Sequence, residues 1–391
     1  MAMTSQVIGE QLPSIEPQAD GLVIAWPGGD CSRHLYYWLR ENCHCPQCTH
    51  QDAWERIADF LAIPLDITPD KFSGDARGLH LTWPEHGADC DGTFYSWDWL
   101  YRHRCEREAR LERKQRRTAW TAWEFDIKRV SVGFTGVMAG DNALLEMLEH
   151  IDDTGVALVT GVPSEHLAVV RLAERIAFIE ESHFGRYFDV ESKPDPENLA
   201  YTPRALYPHN DLPSRTHLPG IQFLHCLQND AQGGDSIMVD SIASAGKLQQ
   251  TDAAAFDLLS AHKVTFTYVA EDRHIVNRGC VIEVDEDGNI IGTRLHPALL
   301  GPVDIEPELQ AQFYRAHRAL LDIATSAEMQ YRFRLNNGDC QVFDNHRIMH
   351  ARSEFDPDSG YRHLQGCYIC RDDLRSRLEV LRRTGGNFRH T

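Results

Sequence analysis

The chain has 391 residues, 42% hydrophobic and 25% charged, an ordinary globular composition with enough apolar material for one large domain or two. Thirty-nine Lys and Arg face 58 Asp and Glu, and the resulting charge of −19 argues against a nucleic-acid partner unless a basic face is hidden locally. No apolar run approaches the about 18 residues of a membrane span, and MAMTSQVIGEQ lacks the basic-then-apolar order of a secretory signal, so a cytoplasmic protein is expected.

Residues 20–105 read as a small module of short strands and turns, through GLVIAWPGG, HLYYWLRENC and LHLTWPEHGADCDGTFYSWDWL. The densely charged stretch from Arg102 to Thr118 reads as a solvated helix or linker. It divides the chain into an expected module at 1–115 and a larger domain at 116–391. In the latter, Leu144, Leu145, Leu148 and Ile151 recur at helical spacing before a buried-type strand at Val156 to Thr160, and HLAVVRLAERIAFI repeats the helical pattern. Strands follow in IQFLHCLQ, DSIMVDS, HKVTFTYVA, CVIEVDEDGNIIGTRL and DCQVFDNHRIMHA, with a hairpin cue at Asp287-Gly288 and helices near 243–261 and 307–328. Many antiparallel strands with helices outside predict an α+β chain whose catalytic domain is a jelly roll, or double-stranded β-helix.

Eleven cysteines without an export signal argue against a disulfide framework. Cys43, Cys45 and Cys48 cluster within six residues and need a separate explanation. Three thiolates leave a tetrahedral site one ligand short. His86 in WPEHGADC offers a fourth, giving a Cys3His set that suits a closed structural zinc site. His50, His80 and Cys90 compete for that place, and an Fe–S cluster completed by Cys90 or Cys105 is the runner-up.

The sharpest pattern in the larger domain is His209-Asn210-Asp211. On a strand, residues i and i+2 project from one face, so an imidazole and a carboxylate aim at one point. His350, in DNHRIMHAR, supplies a second imidazole 141 residues later, and Arg362 follows twelve residues on. Two histidines and a carboxylate form the facial triad that leaves iron with open positions. An arginine one strand away can grip a dicarboxylate in bidentate fashion.

The strings NLAYTPRALYPHNDLP, PGIQFLHCLQNDAQGGDSIMVD, FDNHRIMHAR and YRHLQGCY resemble the γ-butyrobetaine hydroxylase branch of the taurine dioxygenase superfamily. The resemblance implies Fe(II) on His209, Asp211 and His350. It implies 2-oxoglutarate on Arg362, with Ser236 and Leu224 lining its pocket, and O2 as the other co-substrate. The N-terminal modules of that family are similar here too, with three clustered cysteines and a later histidine after Trp-Pro, and a homodimer is implied.

The same resemblance implies a quaternary ammonium substrate held in an aromatic cage of Phe184, Phe188, Tyr201 and Tyr368. The i, i+4 spacing of Phe184 and Phe188 also fits plain packing on a helix. Asn198 matches one of two asparagines that read the substrate carboxylate, but GTRLHPALLGP, where the second belongs, contains none. Arg294 and His296 stand there instead, near Arg273, His274, Asn277 and Arg278. Cationic donors suit a more highly charged acid, so the expectation leans slightly to 2-(trimethylammonio)ethylphosphonate hydroxylated beside phosphorus, with γ-butyrobetaine as the alternative. A non-catalytic cupin-like binding protein, and a scaffold working through its zinc module, are the readings from other classes.

Overall fold

A computed structural model describes residues 12–84, 90, 92–114, 117–191 and 199–383. They divide into two compact units, one within 1–115 and one within 116–385. Among the described residues no helix is long and apolar enough to cross a membrane.

The first unit contains β1 (Ser14–Pro17), β2 (Gly21–Ala25), β3 (Cys31–Leu35), α1 (Tyr36–Glu41), β4 (Lys71–Gly74), β5 (Gly78–Thr82), β6 (Thr93–Ser96), α2 (Trp97–Arg102) and α3 (Arg107–Arg113). Two antiparallel three-stranded sheets, β1-β2-β3 and β4-β5-β6, share one small core. Leu22, Ile24, Leu79, Leu81 and Tyr95 lie on the alternate strand positions buried in it, together with Leu39, Trp97 and Leu100 from the helices.

The second unit begins with β7 (Ser131–Gly133), α4 (Phe134–Ala139), α5 (Asp141–Thr154), β8 (Val156–Thr160), α6 (Ala168–Glu174) and β9 (Phe188–Val190). Next come β10 (Leu206–His209), β11 (Ile221–Asn229), β12 (Gln232–Gly233), β13 (Ser236–Asp240), α7 (Ser241–Thr251) and α8 (Ala253–Ala261). Two ribbons follow, β14 (Val264–Ala270) with β15 (Arg273–Gly279) and β16 (Ile282–Val284) with β17 (Ile290–Thr293). The chain closes with α9 (Pro307–Ala324), β18 (Tyr331–Phe333), β19 (Cys340–Asp344), β20 (Ile348–Arg352), β21 (Phe355–Asp356), β22 (Arg362–Ile369) and α10 (Arg371–Arg383).

Six strands, in the order β7-β8-β19-β11-β22-β9, form the major sheet, and four, β10-β20-β13-β18, form the minor one. Strand parity builds the layers. Leu224, Leu364 and Phe343 of the major sheet meet Met238 and Ile348 of the minor sheet in the central layer. Ile221, Phe223, Val342 and Cys367 face the other way, onto Leu144, Leu148, Leu172 and Leu378 of the helices. Ile237, Val239, Met349 and Ala351 likewise back onto Leu248, Phe256, Leu259 and Phe313. Two packed sheets with helices on both outer faces are the jelly roll expected from the strand pattern.

Two local expectations change. The helical pattern of HLAVVRLAERIAFI yields a helix only over Ala168–Glu174. Phe184 and Phe188 do not share a helix: Phe184 sits in the turn bridged between Ser182 and Gly185, and Phe188 opens β9.

Candidate active site

Inward parity on β11, β13, β20 and β22 brings Gln222 and Leu224, Ser236, His350 and Arg352, and Arg362, Leu364 and Tyr368 into one pocket. Phe184, Phe188, Tyr201, His209, Asp211 and His296 complete its chemically distinctive lining. In the register of the minor sheet His209 pairs with His350, and Ser236 pairs with Arg352. The two imidazoles whose positions are far apart in the chain are therefore cross-strand neighbours, with ring centroids 4.2 Å apart.

Asp211 Oδ1 lies 3.5 Å from His209 Nε2 and 3.7 Å from His350 Nε2. Donors each about 2.1 Å from one ion stand about 3–4 Å apart, so this triangle fits a single metal. Nδ1 of His209 lies 2.7 Å from the Tyr207 carbonyl; as the donor there, it leaves the Nε2 lone pair facing the acid. The other carboxylate oxygen of Asp211 accepts from Gln222 Nε2 at 2.8 Å and from the Tyr368 hydroxyl at 2.7 Å, which fixes the plane of the group. Burial alone would raise the Asp211 carboxyl, but His350, His209 and Tyr368 outweigh it and hold the group well below the usual range. Burial, reinforced by the neighbouring His209, pushes His350 down to about 3. An ionised acid beside a neutral imidazole is the protonation state in which these groups bind a cation.

Sequence reasoning did not single out the residues that shape the turn carrying Asp211. Asn345, fully buried, accepts from the Asp211 backbone N–H at 2.7 Å and donates to the Asp211 and Pro219 carbonyls. Asn210 returns the clamp by donating to the Asn345 carbonyl at 2.7 Å, while its own oxygen accepts from Thr293 and from Leu295 N–H. The only available signal was an asparagine beside each histidine motif, which no spacing rule marks as a clamp.

Arg362 and Arg352 are both buried, and among the described residues neither has a carboxylate partner. Burial pushes Arg362 down to about 10; burial and then the charge of Arg362 push Arg352 to about 9. Among the described residues the Nε atoms of both lack a hydrogen-bond partner. Two desolvated cations beside Ser236, over the apolar floor of Leu224 and Leu364, fit a dicarboxylate.

Aromatic rings line the pocket close by. Phe188 lies 5.2 Å from Tyr368 and 6.0 Å from Phe184, centroid to centroid. Gly366, opposite Phe188 on β22, permits the close approach, since a Cβ there would stand 2.5 Å from the Phe188 ring. His296 packs edge-on against His209 at 4.7 Å, and burial pushes it down to about 3.

Arg294 is the expected site residue that does not reach the pocket. Its guanidinium donates to the carbonyls of Pro213, Arg215 and Thr216, and its Nε faces Glu283 at 3.3 Å. A buried guanidinium needs acceptors for its fork, and the loop after Asp211 provides them. The further cations near it, Arg273 and Arg278, lie on β15, where Arg273 donates to the His183 carbonyl and Arg278 pairs with Asp304. Asn198 and His86 lie outside the described residues.

In the first unit, Cys43, Cys45, Cys48 and Cys90 bring four sulfurs within 4.8 Å of one another. Cys90 Sγ is 3.6 Å from Cys43 Sγ and 3.5 Å from Cys45 Sγ, close to the about 3.8 Å edge of a tetrahedron with 2.3 Å metal–sulfur bonds. Arg40 donates to Cys48 Sγ at 3.3 Å, a cation suited to a thiolate set. Of the competing ligands Cys90 joins the cluster, whereas His50 Nδ1 accepts from Asp52 and Ala53 N–H and His80 lies 3.1 Å from Asp75.

Residues 122–368 match the model of the taurine catabolism dioxygenase TauD, TfdA family, well over half of the chain. The chain belongs to that family. Residues 14–101 match the γ-butyrobetaine hydroxylase-like N-terminal family, which sets the protein in the corresponding branch. It is similar to the γ-butyrobetaine dioxygenase of Pseudomonas sp. (strain AK-1), 37% identical over 95% of this chain and 96% of the relative. The human γ-butyrobetaine dioxygenase is 30% identical over 92% and 94%, and the mitochondrial trimethyllysine dioxygenase of Rattus norvegicus 29% over 89% and 83%. This TauD-family protein is a dioxygenase that uses iron and 2-oxoglutarate. A purely binding, non-catalytic role is set aside by that membership.

Proposed function

We propose that the protein hydroxylates a small trimethylammonium zwitterion, with iron held by His209, Asp211 and His350 and the distal carboxylate of 2-oxoglutarate held by Arg362 beside Ser236 and Leu224. The observation that carries this reading is the sharing of one pocket by the His-Asp-His triangle and the rings of Phe184, Phe188, Tyr201 and Tyr368. The bound metal would supply O2 activation coupled to decarboxylation of 2-oxoglutarate to succinate and CO2. The chain's own part is to hold both substrates in place and keep water from the reacting carbon. Ring faces attract a cation that has no N–H to donate, at ~0.5–2 kcal/mol each when desolvated, so they select trimethylammonium over a smaller amine.

For the acid end, γ-butyrobetaine gains support from the relatives that bear its name and from Arg294 being spent on loop carbonyls. A second reading, 2-(trimethylammonio)ethylphosphonate, rests on His296, which burial keeps neutral, so that it offers a hydrogen bond rather than the expected cation. Its Nδ1 is buried in the pocket wall without a partner among the described residues, in the segment where the resemblance led us to expect an asparagine. Succinate release measured with γ-butyrobetaine, the ethylphosphonate, trimethyllysine and taurine decides. Turnover on taurine alone would overturn the trimethylammonium reading.

The four-sulfur cluster is proposed as a structural zinc site with Cys90 as fourth ligand, holding together a module with a small core. Four thiolates would also suit an Fe–S cluster, which metal analysis and visible absorbance distinguish. A homodimer, implied by the family resemblance, is tested by light scattering.

A further inference from the structure

Arg352 stands two residues beyond His350 on the same face of β20, and both line the pocket. Its Nη1 donates to the Ala200 carbonyl at 3.0 Å, and its Nη2 donates to the carbonyls of Thr202 and Arg204. These bonds span the segment that carries Tyr201, a ring of the substrate wall. The same guanidinium lies 4.9 Å from the Phe355 ring, which Arg362 approaches at 5.8 Å from its own side. Two buried cations thus share one aromatic neighbour, and each keeps a buried Nε without a partner among the described residues.

We propose that Arg352 is a positioning residue joining the two ligand sites: it holds residues 200–204, and with them Tyr201, while the 2-oxoglutarate dianion compensates its buried charge. The proposal rests on the assignment of the co-substrate pocket to Arg362. Its physical basis is the cost of desolvating like charges together. With the pocket empty, that cost brings the open arrangement, in which Arg352 gives up its carbonyls for water, closer in free energy. A bound dianion removes the cost, so the 200–204 segment opens less often and Tyr201 is held where the ammonium must dock. Binding of one ligand then favours the other, reciprocally.

The test is hydrogen–deuterium exchange at the amides of residues 199–206 in the full-length, anaerobic Fe(II) protein, with and without 2-oxoglutarate. Co-substrate binding, followed independently by calorimetry, is expected to slow exchange there about 5-fold or more, as for an ordinary coupling between sites. In Arg352→Lys, which keeps the charge but loses the fork, the slowing should vanish while 2-oxoglutarate still binds. A second readout needs no variant: the Kd of γ-butyrobetaine on the wild-type protein should tighten by a similar factor when 2-oxoglutarate is present. If 2-oxoglutarate binds and neither exchange nor Kd changes, or if Arg352→Lys responds as the wild type does, the proposal is wrong. If no 2-oxoglutarate binds at all, the pocket assignment falls, and this proposal with it.

Discussion

The Tyr368 hydroxyl donates to Asp211 Oδ2 at 2.7 Å, so one side chain offers its ring face to the pocket and its polar tip to a metal-ligand candidate. Tyr368→Phe separates the two roles. The ring remains for a cation, while the carboxylate loses an orienting donor. Iron affinity should fall about 10–100-fold, the usual cost of removing such a partner, with little change in substrate Kd. Iron titration and calorimetry check this; unchanged iron binding in the variant would deny the hydroxyl its orienting role.

Asp211→Ala removes the charged member of the triangle and should abolish iron-dependent succinate formation while the protein stays folded. Normal turnover in that variant would mean that iron sits elsewhere.

Arg294 is expected to matter for stability rather than for substrate choice. Arg294→Lys cannot satisfy three carbonyls and Glu283 with one ammonium, and should cost on the order of 2 kcal/mol in urea unfolding. KM for 2-oxoglutarate should stay near the wild-type value. A selective loss of affinity for the ethylphosphonate compound, with stability intact, would restore Arg294 to the acid-binding end.

Cys90→Ser should reduce zinc content and lower the Tm, because the sulfurs of Cys43, Cys45 and Cys48 alone leave the tetrahedron open. His86→Ala should leave zinc content unchanged. The reverse pair of outcomes would return the fourth position to His86. Chelation of zinc, with activity assayed after Fe(II) is restored, should lower the Tm before it alters activity in the folded fraction.

Burial holds the imidazoles of His34, His225 and His317 down at about 4, against about 6.5 in the unfolded chain. Between these values the unfolded chain binds more protons than the folded one, so stability is full above about pH 6.5 and falls as the pH drops toward about 4. The Tm should be lower at pH 5 than at pH 7; an unchanged or higher value would contradict neutral burial of these rings.

What could be read from residue order was the chemistry that residue type and strand parity announce together. His350 and Arg362 fall on strands that follow the inward rule and His209 ends β10, but Asp211, expected two residues along the same strand face, sits in the turn after β10, where Asn345 holds its backbone. The paths of connecting segments carry no such period. The acceptors that capture Arg294 belong to the turn after Asp211, and the sulfur of Cys90 comes from far along the first unit, so neither contact was visible as a spacing. The Phe184 and Phe188 pair shows the converse: a helical interval arose from a turn followed by a strand. The Asn210 and Asn345 clamps escaped notice because a buried amide is recognised by its partners rather than by its neighbours in the chain.

The pairing of His209 with His350 across the minor sheet has a consequence for biosynthesis. A nascent chain that has not yet emerged past β20 presents a lone imidazole and an acid, a poor chelate for any ion. The metal pocket comes into being only when the late strand zips against the early one. An ion that needs all three donors can therefore bind only after β20 has paired with β10.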